Sequence, residues 1–331
     1  MRKLLLLGTG GTIASMPSSD GLAPGLKAAE LLPFAGSLWD DVVCRDIFSL
    51  DSSNIQPEEW RVMAEETARA RQEYAGVVIA HGTDTMAYSA SMLSFMLQGI
   101  DIPVVFTGSQ FPIVYPDSDG RANLKNSLIA ARSLPGGVYV CFGGSVMLGC
   151  RAVKVRTTSL NAFESINYPY IGVIANGQYV HLHQPRASTT AFSCNDSIEP
   201  NVALIKLAPG AAPALFDALL ACGYRGLVVE AFGLGGVHSI RRDHTEALAR
   251  LLRGGMPVVL SSQCLYEHSS ATVYEVSRPL RNAGILSAED MTTEAAVTKL
   301  MWALGQTADI EGVRAIMAKN LCGEISSRAQ D

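Results

Sequence analysis

The chain has 331 residues, of which 48% are hydrophobic and 17% are charged, and its formal net charge is −5. This composition is typical of a soluble, folded protein. Lysine and arginine are not concentrated in any one stretch, which argues against a nucleic-acid partner and against an anionic membrane surface. At roughly 150 residues per domain, the length predicts two domains.

The N-terminus and the cysteines predict a cytoplasmic location. The apolar run of residues 4–7 ends at Gly8, whereas the apolar core of a signal peptide needs about seven to fifteen residues. No uninterrupted apolar segment approaches the eighteen or so residues of a membrane span. The seven cysteines form no Cys-x-x-Cys pair, which predicts buried free thiols in a reducing compartment.

Short apolar runs alternate with helical patterns along the first half of the chain. Residues 76–80 (Gly-Val-Val-Ile-Ala) form a continuous apolar run, as expected of a strand that is buried on both faces. In the predicted helix 57–74, Trp60 and Met63 recur at helical spacing, and acidic residues lie near its positive N-terminal end. The other predicted elements are strands 3–7, 42–48, 103–107 and 137–142 and helices 85–97 and 122–133.

The region from 145 to 200 is less regular. It predicts a hairpin around Gly149, and its Ser-, Thr- and Pro-rich end predicts an interdomain linker at 185–200. The alternation then resumes with strands 202–207, 226–231 and 257–261 and helices 211–222, 243–253, 293–304 and 309–321. This pattern predicts an α/β fold of two domains, each a mostly parallel sheet flanked by helices. The larger N-terminal domain covers 1–184 and the C-terminal domain covers 201–331.

Polar clusters follow four predicted strands at the point where each strand ends. They are rich in hydroxyl groups, and they are Thr9-Gly10-Gly11-Thr12, Asp51-Ser52-Ser53, His81-Gly82-Thr83-Asp84-Thr85 and Thr107-Gly108-Ser109-Gln110. Each cluster alone is typical of turns and helix caps. Because open parallel sheets bind ligands beyond the carboxyl ends of their strands, we expect all four clusters to line one crevice.

Two other kinds of site fit the sequence poorly. The turn after the first strand begins like a dinucleotide-binding loop, but Ile13 stands at the third glycine position and no acidic residue ends the second strand before Asp51. His181 and His183 could share a metal on one strand face, but no third ligand stands near them in the sequence. We therefore expect these histidines to be structural, and the sequence predicts neither a cofactor nor a metal.

A threonine nucleophile suits these clusters better. A hydroxyl needs a base, a lowered pKa or a positioned cation in order to attack a carbonyl at neutral pH. The glycines before Thr12 allow the backbone to approach a substrate closely, and N–H groups of that turn could bind an oxyanion. Thr12 is therefore the candidate nucleophile.

Two segments resemble the signatures of the bacterial-type L-asparaginases. They are Thr-Gly-Gly-Thr-Ile at 9–13 and His-Gly-Thr-Asp-Thr at 81–85, the second followed by Met-Ala-Tyr-Ser-Ala. The Asp-Ser-Ser cluster and Gly-Ser-Gln at 108–110 match the cytoplasmic (type I) branch. The match continues at Ser118-Asp119-Gly120, Asn123-Leu124, Lys154, 290–292 and 320–324, so the resemblance spans nearly the whole chain.

The resemblance implies an L-asparaginase, an amidohydrolase that converts L-asparagine to L-aspartate and ammonia through an acyl-enzyme on Thr12. Thr83, Asp84 and Lys154 resemble the second catalytic group of the family. In that group Lys154 lowers the cost of deprotonating Thr83, and Asp84 orients the lysine.

The resemblance also assigns the residues that bind substrate. Asp84 is expected to pair with the α-ammonium group, Ser52 with the α-carboxylate, and Asp51 and Ser53 flank that contact. Such a set suits a zwitterion, which needs an anion and hydroxyl donors fixed a few ångströms apart. The family further implies assembly into homodimers or homotetramers.

The chain departs from the family pattern in two places. The family's mobile lid after the nucleophile often supplies a tyrosine, but residues 13–27 contain none, and Leu22 lies near the expected position. Gly235-Gly236 stands where many relatives have Gly-Asn. We expect the Ser-, Pro- and Gly-rich segment 15–25 to act as a lid, and the group that activates Thr12 is left open.

Three other functions are compatible with these residues. The enzyme could hydrolyse L-glutamine as well as or better than L-asparagine. It could be the ammonia-producing subunit of a tRNA-dependent amidotransferase, although that subunit normally carries an extra N-terminal domain, for which the residues before Thr12 leave no room. It could also be a sensor that binds an amino acid without hydrolysing it.

Overall fold

The computed structural model describes residues 2–19, 21–37, 39–185, 190–270 and 278–326. The chain divides into two compact units, residues 1–196 and 197–331. Each unit is an α/β layer structure around a sheet, and the N-terminal unit is the larger. The predicted fold class is therefore confirmed, while the predicted linker at 185–200 stays a prediction.

The N-terminal unit contains one large sheet and several short strands. Its strands are β1 Leu4–Gly10, β2 Ser15–Ser18, β3 Gly21–Pro24, β4 Val42–Leu50, β5 Gly76–Ala80, β6 Leu97–Gln98, β7 Pro103–Thr107, β8 Gly137–Phe142, β9 Ser145–Leu148, β10 Ala152–Lys154, β11 Phe163–Ser165, β12 Gly172–Ala175, β13 Gln178–His181 and β14 Ser193–Cys194. Its helices are α1 Ala28–Leu31, α2 Pro57–Ala70, α3 Met86–Met96 and α4 Gly120–Ser133.

The large sheet has eight strands in the order β13-β12-β9-β8-β7-β5-β1-β4. The five strands from β8 to β4 run parallel, and β9, β12 and β13 continue the sheet antiparallel. Every residue of β1, β5 and β7 is buried, which explains their uninterrupted apolar sequences. The chain leaves β1 for β4 on one side and then crosses to β5 on the other, so the strand order reverses at β1.

The irregular region contains two hairpins that the sequence interpretation placed wrongly or missed. The turn predicted around Gly149 lies instead at Gly143-Gly144, between β8 and β9. Both glycines have positive φ, 57° and 80°, as a two-residue turn of this kind requires. A second such turn, Asn176-Gly177, joins β12 to β13 with φ of 51° and 74°.

The C-terminal unit contains a four-stranded parallel sheet in the order β15-β16-β17-β18. Its strands are β15 Val202–Lys206, β16 Gly226–Ala231, β17 Val258–Ser262 and β18 Leu286–Ser287, and its helices are α5 Ala214–Ala221, α6 His244–Arg253, α7 Arg278–Ala283, α8 Thr293–Gln306 and α9 Ile310–Ala318. The core packs α6 against β16 and β17 through fully buried side chains such as Leu248, Leu251, Val229 and Leu260. The predicted strand 226–231 is confirmed to the residue.

Two further predictions from the sequence differ from the structure. The helix predicted over 309–321 ends at Ala318, because Lys319 has extended backbone, with φ −84° and ψ 133°. Lys299 Nζ donates hydrogen bonds to the carbonyl oxygens of Met317 and Lys319 at this end. The expectation of buried thiols is wrong for Cys194, Cys222 and Cys264, which are exposed free thiols.

Among the described residues, no helix is both long and apolar enough to cross a membrane.

Candidate active site

The four polar clusters lie at the ends of four adjacent strands. In the sheet, β4, β1, β5 and β7 are neighbours, and the clusters at 51–53, 9–12, 81–85 and 107–110 follow them in that order. The reversal of strand order at β1 leaves a crevice at their carboxyl ends, where open α/β sheets bind ligands. The sequence prediction that these clusters share one edge is confirmed.

Glycines bring three of the clusters into close contact. A Cβ on Gly11, which has φ +74°, would lie 2.3 Å from Gly82 Cα, and one on Gly82 would lie 2.5 Å from Ser52 Oγ. No side chain larger than hydrogen fits at either position. The turn that carries Thr12 therefore lies directly against the turn that carries Thr83, and that second turn lies against Ser52.

Lys154 connects two of the predicted site residues. Its Nζ donates hydrogen bonds to Thr83 Oγ1 at 2.8 Å and to Asp84 Oδ1 at 2.7 Å. Thr83 is buried, and the side chain of Lys154 is only 17% exposed, whereas that of Asp84 is 60% exposed. The arrangement places a positive charge beside a buried hydroxyl and leaves most of the carboxylate open to the solvent.

The second cluster forms a compact turn beside this group. Ser52 is buried, and its Oγ accepts a hydrogen bond from the Asp84 backbone N–H at 3.2 Å, while its carbonyl accepts one from Thr85 Oγ1. Asp51 Oδ1 accepts from both the N–H and the hydroxyl of Ser53, at 2.9 and 2.6 Å. Asp51 therefore caps the short 3₁₀ helix Ser52–Asn54, and both flanking side chains stay exposed.

Thr12 begins the short 3₁₀ helix Thr12–Ala14 and is half-buried. The N–H of Gly11 donates to Leu50 O at 2.8 Å, so that amide is not available for an oxyanion. The predicted lid is a β-hairpin, in which β2 pairs antiparallel with β3. Leu22, at the position of the family's tyrosine, is 53% exposed; Asp20 lies outside the described residues.

The polar groups of the fourth cluster form hydrogen bonds that stabilise their own turn. Asp119 accepts hydrogen bonds from the backbone N–H groups of Gln110 and Phe111, and Asn123 donates to Gly108 O at 3.0 Å. Ser109 Oγ donates to Phe111 O at 2.5 Å. The turn interpretation of this cluster therefore fits the structure, and it explains Asp119 and Asn123 as its supports.

A buried chain of hydrogen bonds beside the site, formed by His81, Ser89 and Trp60, was not predicted from the sequence. His81 is fully buried, its Nδ1 lies 2.6 Å from Gly82 O, and its Nε2 lies 3.0 Å from Ser89 Oγ. Ser89 Oγ in turn accepts a hydrogen bond from Trp60 Nε1 at 2.9 Å. Burial lowers the pKa of His81 to about 4, against a weaker opposing effect of its hydrogen bond to Gly82. His81 is therefore neutral at pH 7.

The described residues contain no group of three His, Cys, Asp or Glu side chains that could hold a metal ion. His181 ends β13 beside Tyr179, with its Nδ1 3.4 Å from the tyrosine hydroxyl, and His183 packs edge-on against Tyr168. Each histidine thus contacts a tyrosine, and its structural role stays a prediction.

Comparison with known proteins gives matches along most of the chain. Residues 3–188 match the family described as Asparaginase, N-terminal, and residues 201–317 match the Glutaminase/Asparaginase C-terminal domain. The chain is 44% identical to the L-asparaginase of Thermococcus kodakarensis over 98% of this chain and 99% of the relative. It is 38% identical to a subunit of the Glutamyl-tRNA(Gln) amidotransferase of Metallosphaera sedula, over 98% of this chain and 77% of that protein.

Solved structures give the same result. The structure of the thermostable L-asparaginase of Thermococcus kodakarensis matches with a TM-score of 0.93 over 98% of this chain and 99% of that one. L-asparaginase I of Vibrio cholerae, 30% identical, matches with a TM-score of 0.86 over 99% and 100% of the two chains. Fold, site and matches together define an amidohydrolase built from two α/β domains. The chain belongs to the asparaginase family, which confirms the resemblance, including the type I branch, seen in its sequence.

Proposed function

We propose that the protein is an L-asparaginase, which hydrolyses L-asparagine to L-aspartate and ammonia with Thr12 as the nucleophile. The observation that carries the proposal is the position of Lys154 Nζ, which lies between Thr83 Oγ1 and Asp84 Oδ1. The turn bearing this group lies against the turn of Thr12 through Gly11 and Gly82. The identity of 44% with an L-asparaginase supports the choice of substrate.

The reaction has two displacement steps at one carbon. In the first, a bond forms between Thr12 Oγ and the side-chain amide carbon, the carbon–nitrogen bond breaks, and the hydroxyl proton leaves with the nitrogen as ammonia. In the second, the oxygen of a water molecule attacks the ester carbon, and the bond to Thr12 Oγ breaks with return of a proton to the hydroxyl. Dividing the hydrolysis in this way replaces one difficult step with two easier ones.

Thr83 and Lys154 supply the proton transfer that the second step needs. The ammonium of Lys154, 2.8 Å from Thr83 Oγ1, stabilises an alkoxide at Thr83 and so lowers the cost of its deprotonation. Thr83 can then accept a proton from the attacking water as its own hydroxyl proton passes to the departing Thr12 oxygen, and Asp84 fixes the lysine by its ion pair at 2.7 Å.

The substrate's zwitterionic end fits the second cluster. Because the Asp84 carboxylate is mostly exposed while it holds Lys154, it can also accept a hydrogen bond from an α-ammonium group. Ser52 is expected to donate to the α-carboxylate, and the turn formed by Asp51 and Ser53 fixes the position of Ser52. A longer amide such as glutamine would place its reacting carbon one methylene further from the same anchor.

The test of this proposal is ammonia release by the purified protein, with L-asparagine and L-glutamine assayed side by side. We expect release mainly from L-asparagine, because the discrimination worth one methylene is about 1–3 kcal/mol. Release mainly from L-glutamine would favour the second candidate, an ammonia-producing amidase like the Glutamyl-tRNA(Gln) amidotransferase relative. Calorimetric binding of L-asparagine without ammonia release would contradict both and favour a sensor.

Lys154→Met separates catalysis from substrate binding. We expect kcat to fall about 100-fold or more with a much smaller change in KM, because general acid–base assistance contributes roughly 10²–10⁴-fold. Lys206→Met is the matched control, since Lys206 is an exposed lysine that also pairs with a carboxylate, Glu230 at 3.6 Å, in the other unit. A rise in KM with kcat unchanged would instead assign Lys154 to substrate binding.

The remaining features follow the family and stay proposals. We propose a cytoplasmic protein that acts on a small molecule without a cofactor and that assembles as a homodimer or homotetramer. A neighbour in structure, the probable cytoplasmic L-asparaginase of Campylobacter jejuni, 26% identical with a TM-score of 0.81, agrees with the proposed location.

A further inference from the structure

We propose that His81 is a positioning residue, held as the Nδ1–H tautomer by Ser89 and Trp60, which fixes the peptide that carries Thr83. The inference rests on the proposed function, because it assigns to Thr83 a position that hydrolysis requires. The proposal stands on a chain of buried hydrogen bonds from α2 through α3 to the end of β5.

The outer end of this chain is a hydrogen bond from an indole. The indole Nε1 of Trp60 can only donate, so Ser89 Oγ, 2.9 Å away, accepts from it. The Ser89 hydroxyl keeps its own proton, which it can donate to His81 Nε2, 3.0 Å away. When Nε2 accepts this bond, the proton of the neutral imidazole lies on Nδ1.

The other end of the chain requires the same tautomer. Gly82 O lies 2.6 Å from His81 Nδ1 and, as a carbonyl oxygen, can only accept. All three side chains are buried, and in this arrangement every donor meets an acceptor. A flip of the tautomer would put a nitrogen lone pair against the Gly82 carbonyl oxygen, and the hydrogen bond that holds this peptide would be lost.

The bond to Gly82 O acts directly on the active site. That carbonyl belongs to the peptide that joins Gly82 to Thr83, so fixing the oxygen also fixes the opposite N–H and the direction of the Thr83 Cα. Gly82 has no side chain of its own that could hold this peptide, and its backbone already touches Gly11 and Ser52. His81 therefore sets where Thr83 Oγ1 lies relative to Lys154.

His81 does not itself transfer protons to substrate in this arrangement. It is fully buried, and both ring nitrogens already have partners within the protein. The ring also packs edge-on against Phe106, at a centroid distance of 5.7 Å. The ring is thus enclosed by α2, α3 and β7, and it acts through Thr83.

Two substitutions separate the hydrogen bond made by Nδ1 of His81 from the one made by Nε2. The side-chain nitrogen of asparagine takes the place of Nδ1, whereas that of glutamine reaches the place of Nε2. We expect His81→Asn to keep kcat within about threefold, because a donor to Gly82 O remains. We expect His81→Gln to lower kcat about 10- to 100-fold with KM within about threefold, since a small misplacement of a catalytic group has effects of this size.

The tautomer is measured independently of activity, by ¹⁵N NMR of the protein labelled at its histidine imidazoles. A protonated Nδ1 at His81 is expected, and a protonated Nε2 would overturn the proposal. Equal losses of kcat in His81→Asn and His81→Gln would also overturn it, because only packing would then be involved.

Ser89→Ala tests the chain where the His81 variants fail to fold. It removes the partner of Nε2, so the ring is held less firmly, and we expect a fall in kcat of about threefold or more. An unchanged kcat would overturn the proposal. If the wild-type protein releases no ammonia from any amide, the proposed function fails, and the NMR spectrum alone decides the tautomer.

Discussion

Thr12→Ala is expected to lower kcat for L-asparagine by at least about 10³-fold, because removal of a nucleophile leaves only binding and electrostatic stabilisation. The fold should survive, since Thr12 is half-buried and begins a 3₁₀ helix of three residues. Steady-state ammonia release with the purified variant measures the effect. Turnover at the wild-type rate would remove Thr12 from the mechanism.

Thr12→Ser is the matched control for this result. It keeps the hydroxyl and loses one methyl group, so we expect kcat to stay well above that of Thr12→Ala. Rapid acid quenching followed by mass spectrometry of peptides should find the acyl group on Thr12. An acyl group on Thr83 instead would exchange the proposed functions of the two hydroxyls.

Lys299→Met is expected to lower the free energy of unfolding of the C-terminal unit by about 3–5 kcal/mol, the usual cost of leaving one charge of a buried pair unpaired. Lys299 Nζ and Glu324 Oε1 lie 2.6 Å apart, and both side chains have no solvent exposure. Burial alone would raise the pKa of Glu324, but Lys299 and the amides of Leu321 and Cys322 hold it below its ordinary value. Glu324 is thus a buried anion, and urea unfolding measures what its partner contributes.

Two further variants define what the pair does. Glu324→Gln added to Lys299→Met should recover part of the loss, because it removes the unpaired charge and still offers an oxygen to the amides of Leu321 and Cys322. Glu311→Gln is the control on α9, since its exposed pair with Arg314 is worth at most about 1 kcal/mol. Equal stabilities for Lys299→Met and this control would contradict the assigned contribution of the buried pair.

The parallel sheets could be predicted from the sequence because their strands are buried on both faces. The apolar runs 76–80 and 226–231 match β5 and β16 at both ends. The hairpins depend on weaker signals. Gly143-Gly144 can end a strand, but two glycines between two apolar runs also predict a two-residue turn. Asn176-Gly177 is a stronger signal of the same kind, although the strands that it joins are short and partly exposed.

The candidate site was predictable where motifs mark strand ends, and less so where contacts join distant segments. Residue spacing alone could not place Lys154 beside Thr83, 71 residues earlier, and only the family resemblance did so. Trp60 fits the apolar face of a helix, and its indole N–H, which reaches Ser89, has no periodic signature. The pairing of Lys299 with Glu324 was likewise invisible, because exposed and buried charges look alike in a sequence.

The contact among Gly11, Gly82 and Ser52 has a consequence for attempts to redesign this enzyme. Where Gly11 meets Gly82, the spacing between the two turns is set by the thickness of the polypeptide backbone, and the one side chain in this contact is the small Ser52. Directed evolution toward longer amides therefore has little to vary there. Mutations that change substrate preference should accumulate on the hairpin of β2 and β3, where Met16 and Leu22 are exposed and can be replaced without moving either hydroxyl.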